Sequence, residues 1–253
     1  MTGLLRGVAL RLHGPMQSWG GPAIGDCRST LPFPTRSGVL GLVAACMGIS
    51  RKENDRLLSL AQGARVHVRV DAGGTAIVDD QTIQDNPNAS PTRQTIQSKR
   101  TYLCDASFAA VVVPGPDSSV QAIAEAIVAP VFAPSLGRRA CVPSTPLLIA
   151  AEVTGADPIA LFDGVERGPE ALLAVLDSHG WPEPWAREDL RDTAIEAVAG
   201  HDRTDFYLDV DDYPGAIRRI PIRDNFAGPL PRQWRERFAV HVRTPRGSHL
   251  PSP

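Results

Sequence analysis

The chain is almost without lysine: of its 26 basic residues, all but Lys52 and Lys99 are arginine. Aromatics make up only 6% of the 253 residues. The four cysteines, Cys27, Cys46, Cys104 and Cys141, are widely separated and form no C-x-x-C pair. That spacing excludes a zinc ribbon or dithiol motif and fits buried, reduced thiols in a cytoplasmic protein. No apolar run approaches the roughly eighteen residues that a membrane helix needs, so no membrane partner is expected. Residues 1–12 carry Arg6 and Arg11 but no continuous apolar stretch of the kind a signal peptide requires. H-E-x-x-H, a Walker loop and the orders of a Ser-His-Asp triad are all missing. Asp79-Asp80 and Asp211-Asp212 have no histidine beside them and read as solvated turns. Neither a metal nor a cofactor is expected.

What is present is 43% hydrophobic residues, enough for a sizeable core, and an uneven charge. The net charge of −2 argues weakly against nucleic-acid binding, but residues 1–110 sum to +4, 111–217 to −12 and 218–253 to +6. Two basic ends around an acidic middle suit an anion on one face and a basic protein on another. The arginine bias has two readings. It reflects a GC-rich genome, or it supplies planar forks for phosphates and bases.

The periodicity predicts a first strand over residues 5–12, then a helix over 36–47 capped by Thr35 and stopped by Gly48. A short helix (54–60) leads into a strand (65–70), where Val66, Val68 and Val70 alternate with Arg65, His67 and Arg69 as in a half-buried strand. A more apolar, central strand (107–113) precedes a helix from Pro116-Asp117 to about Val128, and a last strand covers 147–153. This order is α+β, the split βαβ or ferredoxin-like βαββαβ arrangement. The domain spans residues 1–154. Its connection at about 71–106 is far longer than usual and is expected to form a protruding ribbon, Ile77-Val78 pairing with Thr101-Tyr102-Leu103. Residues 155–253 form an extension, acidic then basic. A helix is expected at 169–178 and strands at 216–222 and 237–242.

Five stretches invite a functional reading. In residues 14–20, Gln17 and Ser18 can bond a base or phosphate and Trp19 can stack on a base; the alternative is a tight turn with Trp19 plugging the core. Arg36 and Ser37 stand at a helix start, where free amides and the dipole favour an anion; the alternative is a plain cap. Lys99-Arg100 at the ribbon base, with Arg93 toward its tip, suits a wedge on single-stranded RNA or a charged edge that blocks strand pairing. In residues 135–139, Gly137 permits close approach and Arg138-Arg139 supply counter-charge. The late set Arg218, Arg219, Arg223, Arg232, Arg235 and Arg237, with Trp234, extends an RNA surface, meets a partner or is simply solvated. His13, beside the first loop, is a general base or a structural histidine.

G-P-M-Q-S-W-G (14–20), P-T-R-S-G-V-L-G-L (34–42), Y-L-C-D-A-S-F (102–108) and L-G-R-R-A-C (136–141) have the order and spacing of the CasD family. The resemblance covers about residues 5–153 and resumes faintly at 230–233. CasD proteins are the guide-RNA 5′-handle-binding subunits of type I-E CRISPR Cascade, within the RAMP superfamily. The resemblance implies a ferredoxin-like (RRM/RAMP) palm with a β-hairpin thumb. It implies a non-catalytic subunit that caps one end of the complex and hooks the handle. The expected partners are the guide RNA, the backbone subunit and the large subunit, with target DNA near the PAM met indirectly. Gln17, Ser18, Trp19, Arg36 and Ser37 are then expected to line the handle site. Arg93, Lys99 and Arg100 belong to the thumb, and Gly137, Arg138 and Arg139 face RNA. In a related subtype this subunit is an endoribonuclease using Tyr, Lys and His. Here Lys99 is followed by Arg100 rather than histidine, and the first helix has no tyrosine. A metal-independent ribonuclease using His13 or Lys99 is the alternative reading, and an RNA-free interaction module is a third.

Overall fold

The computed structural model describes residues 3–84, 95–167, 203–228 and 233–245. Strand β1 (Leu5–His13) leads through β2 (Met16–Gln17), β3 (Trp19–Ile24) and β4 (Cys27–Leu31) to helices α1 (Arg36–Cys46) and α2 (Asn54–Ala61). Then come β5 (Arg65–Ala72), β6 (Thr75–Gln84), β7 (Thr95–Cys104), β8 (Ser107–Val113), α3 (Val120–Val128) and β9 (Leu148–Gly155). A short 3-10 turn (Ala160–Phe162) precedes β10 (Arg203–Leu208), β11 (Ala216–Gly228) and β12 (Gln233–Pro245). The described residues are thus mixed α and β, with many strands and few helices. No described helix is long and apolar enough to cross a membrane.

Seven strands form one sheet in the order β11-β12-β10-β5-β8-β1-β9, every neighbouring pair antiparallel. Two β-α-β units, β1-α1-β5 and β8-α3-β9, interleave in it. Val8, Leu10, Leu12, Val66, Val68, Phe108, Ala110 and Val112 meet Val39, Leu42, Val43 and Cys46 of α1 and Ile123 and Ile127 of α3 in the larger core. Helix α1 starts where expected, the Thr35 hydroxyl accepting from the Gly38 amide at 3.2 Å. It stops before Gly48, whose φ of +70° a side chain would strain. Helix α3 starts later than the sequence suggested. Ser119, not Asp117, caps it by accepting from the Ala122 amide at 3.1 Å, and Pro116-Asp117 form a turn ahead of it.

The alternation in β5 predicted Arg65, His67 and Arg69 on a wet face, which holds for Arg65 alone. His67 is 1% and Arg69 4% exposed. The chain around the 3-10 turn crosses this face, and Leu161, Phe162 and Val165 join Ala9, Ala109, Val111, Phe206, Leu208, Val240 and Val242 in a second core. Arg69 ties it down, donating to the carbonyls of Val165 (2.9 Å) and Glu166 (3.0 Å) while pairing with Asp71 at 2.7 Å. The sheet is therefore a middle layer. The extension does not stand apart from it, because β10 pairs with β5 and brings β12 and β11 with it. Tyr207 stacks between Phe33 (3.7 Å between centroids) and His241 (4.9 Å), fastening β10 and β12 to the loop before α1. Strand β10 was not expected. The helix expected at 169–178 lies outside the described residues.

A second, smaller sheet sits where the long connection leaves the first. Strands β6 and β7 pair as the anticipated ribbon, Ile77 opposite Tyr102 and Val78 opposite Thr101. Along its other edge β7 takes β2 (Gln17 opposite Leu103) and, in parallel, β4 (Arg28 opposite Arg100). The stretch 13–20, expected as a loop, thus contributes β2 and the start of β3.

Candidate nucleic-acid interface at the ribbon base

The two glycine-rich motifs clamp each other. Gln17 is wholly buried, its Nε2 donating to the carbonyls of Leu12 (3.2 Å) and Ala106 (2.6 Å). Its Oε1 accepts from Nε1 of Trp19 at 3.0 Å. Trp19 is also 0% exposed, packed where a Cβ on Gly38 would come within 2.9 Å of its ring. The expectation that Gln17 and Trp19 touch RNA is therefore corrected. Gln17, in β2 against β7, and Trp19, at the start of β3 against β4, both turn inward, leaving no open ring face for a base. The Ser18 amide donates to the Leu136 carbonyl at 3.0 Å and its hydroxyl lies 3.5 Å from the Thr101 carbonyl. Gly137 has a φ of +92°, and a Cβ there would fall 1.7 Å from the Ser18 carbonyl oxygen. The close approach this glycine permits is to the chain's own backbone.

Arg36 turns away from these motifs. Its Nε donates to the Ala64 carbonyl at 3.1 Å and pairs with Asp209 at 3.3 Å; its Nη2 also reaches the Ala61 and Ala64 carbonyls. Asp209 additionally accepts from Arg237 (3.2 Å) and the Val66 amide (3.1 Å), and its own amide donates to Nδ1 of His67 at 3.2 Å. This hub borders a cleft of about 800 Å³ lined by Arg36, Arg65, Asp209, Arg219, Arg237 and Phe238, among others. It lies at the Arg65 end of β5, whereas the ribbon follows the Ala72 end. Arg36 is thus a buried tie, not an anion ligand. Ser37 stays partly exposed, its hydroxyl 3.4 Å from that of Thr35.

At the ribbon base, successive residues of β7 point to opposite faces. Lys99 and Arg100 are therefore separated. Cross-strand partners share a face, so Arg100 lies with Arg28 of β4 and Asp79 of β6, and Tyr102 points the same way. Arg138 joins them, its guanidinium carbon 4.7 Å from the Tyr102 ring centroid. It donates to the carbonyls of Arg28 (3.0 Å) and Thr101 (3.5 Å). Leu136 and Cys141 close this loop, the Leu136 amide on the Cys141 carbonyl at 2.7 Å and the Cys141 amide on the Arg138 carbonyl at 2.8 Å. Arg139 is exposed on the same loop, and Lys99 is exposed on the ribbon's other face opposite Asp80. Arg93 lies outside the described residues. Arg28 was not singled out from the sequence. Gly25-Asp26, a two-residue turn between two short strands with Gly25 at φ +55°, was the signal that placed it.

His13 ends β1 opposite Ser107, and its Nδ1 is sealed without a partner. Burial lowers its pKa, against a raising contact with the Ala106 carbonyl. Among the described residues no group of three or more His, Cys, Asp or Glu side chains is arranged to hold a metal.

This geometry can be set beside known proteins. A family model described as CRISPR-associated protein (Cas_Cas5) matches residues 7–244. The chain is 37% identical over 155 residues to the CRISPR system Cascade subunit CasD of Escherichia coli strain K12, a match covering 56% of this chain and 69% of that protein. A solved structure described as a CRISPR RNA-guided surveillance complex contains a chain that superposes with a TM-score of 0.61 at 28% identity, over 94% of this chain and 89% of the other. With the family model spanning nearly its whole length, the chain belongs to the CRISPR-associated Cas5 family, which its likeness to CasD bears out.

Proposed function

We propose that the chain is a non-catalytic subunit of a Cascade-type surveillance complex and holds the 5′ handle of a CRISPR guide RNA. The observation that carries this reading is the arginine face at the ribbon base. Arg28, Arg100 and Arg138 share it with one carboxylate in register, Asp79, so positive charge is left over for phosphates. Arg139 extends that face, while Lys99 serves the ribbon's other face. Gln17, Ser18, Trp19 and Gly137 act through shape, holding the loop and β7 together.

In this reading residues 1–154 form the RAMP domain. Strands β1, β5, β8 and β9 with α1 and α3 are its ferredoxin-like palm, the β6–β7 ribbon is its thumb, and β10, β11 and β12 of the extension continue its sheet. The protein grips backbone and shape, and base pairing by the guide supplies target specificity. The thumb meets the first backbone subunit, the large subunit lies alongside, and the assembly works in the cytoplasm. Likeness to a chain of a surveillance complex supports the assembly role.

The test is end-labelled repeat RNA with the purified chain, alone and co-expressed with the other Cascade subunits, in EDTA on paired native and denaturing gels. A shifted, intact band whose affinity falls with salt is expected. A shortened RNA that stays whole with the His13→Ala or Lys99→Ala variant would replace this reading with the ribonuclease.

A further inference from the structure

A phosphate-gripping arginine points its fork of N–H groups outward. Arg138 does the reverse. Its two Nη atoms point to carbonyls on different strands, Arg28 in β4 and Thr101 in β7, and its guanidinium carbon sits over the ring of Tyr102, 4.7 Å from the centroid, with Tyr102 itself 3% exposed. The plane is thereby fixed from its edge and from beneath, and Arg138 is still partly exposed. What such a side chain offers to solvent is its outer face.

We infer that Arg138, backed by Tyr102, is a stacking platform for one splayed base of a single-stranded nucleic acid, flanked by Arg28 and Arg100 as phosphate contacts. The inference rests on the proposed handle-binding function and names the part of the ligand that this side chain takes. Stacking on a guanidinium plane needs a base but no particular hydrogen-bond pattern and no 2′-hydroxyl. A fixed plane loses little freedom on binding, and a purine, with the larger π face, is favoured over a pyrimidine. Lysine in its place keeps the charge but has no plane.

The experiment uses the full chain, alone and co-expressed with the other Cascade subunits. The probe is single-stranded repeat RNA carrying one abasic site at each successive position, with matching single deoxy substitutions. One abasic position is expected to weaken binding by about tenfold, within the range measured for base stacking, while a deoxy sugar there changes nothing. The Arg138→Lys variant should bind intact RNA about tenfold more weakly and be indifferent to that abasic site, the coupling that a direct contact produces. An unchanged melting temperature would show that the variant is folded. If wild-type protein binds but no abasic site matters, or if Arg138→Lys keeps full affinity, the platform is wrong and the handle-binding reading stands. If neither the chain nor the complex binds the RNA, that reading falls and the platform with it.

Discussion

The two ends of the main sheet gather arginines for opposite purposes. At the Arg65 end, Arg36 and Arg237 converge on Asp209, their side chains 7%, 13% and 14% exposed respectively. At the ribbon end, Arg28 is exposed and Arg100 partly so, and Arg138 donates to backbone carbonyls. Asp79 stands in register with Arg100. A guanidinium that shares a buried carboxylate has part of its charge offset where it sits and its N–H groups turned into the fold. One satisfied by carbonyls keeps its full charge. The partner, not the arginine, decides which group can attract a phosphate, and Arg36, whose place at a helix start suited an anion or a plain cap, is the one sealed in.

The comparison is broken most forcefully at Asp209. Asp209→Ala would leave two largely buried guanidinium groups without the carboxylate they share and the Val66 amide without its side-chain acceptor. Removing one partner of a buried ion pair costs about 3–5 kcal/mol, so urea denaturation should show a loss of that size. Loss of under about 1 kcal/mol would mean that the hub is as loosely held as the ribbon base.

A smaller effect belongs to His67 beside it. Burial, with Arg65 and Arg237 nearby, pushes its pKa down to about 3. The geometry agrees, since Nδ1 must be unprotonated to accept from the Asp209 amide. The unfolded chain takes a proton here below a pH of about 6.5, while the folded chain stays neutral until about pH 3. This contribution is therefore complete above pH 6.5 and declines by about 1.4 kcal/mol per unit as the pH falls between those limits. From pH 7 to pH 5 the wild type should lose about 2 kcal/mol that His67→Gln does not. Parallel denaturation curves for the two proteins would indicate that His67 is protonated in the fold.

These contrasts also mark what the sequence could reveal. Strands β1 and β8, helix α1 with its Thr35 cap, and the pairing of Ile77 and Val78 with Tyr102 and Thr101 follow from local periodicity and turn chemistry. The sheet that β2, β3 and β4 make with β7 does not, because those three strands are short and β7 lies about seventy to ninety residues along the chain from β4 and β2. The cover over Arg69 is equally remote, at Phe162–Glu166, and so is the partner of His67, Asp209. Site residues divided the same way. Gln17, Trp19 and Arg36 carry side chains that suit RNA, and only their distant partners at Ala106, Gly38 and Asp209 show that those side chains are already engaged. Arg28 was hidden because its neighbours Arg100 and Arg138 come from other parts of the chain.

The smallest effect on folding should come from the other side of the comparison. Arg28→Ala, Arg100→Ala and Arg138→Ala remove side chains from a partly solvated surface, and each should change stability by no more than about 1 kcal/mol. Their joint effect on RNA should be large in one particular respect. Every phosphate of a single strand that the protein no longer neutralises lowers the slope of log affinity against log salt by about 0.7. The triple variant should therefore lose affinity most at low salt and flatten that slope by about 1.4, the share of the two phosphate contacts at Arg28 and Arg100. Asp209→Ala, measured on its folded fraction, should leave the slope unchanged. If the triple variant unfolds as readily as Asp209→Ala, the ribbon-base arginines are structural ties like Arg36. If it folds normally and keeps the wild-type slope, the phosphates are held by another face of the protein.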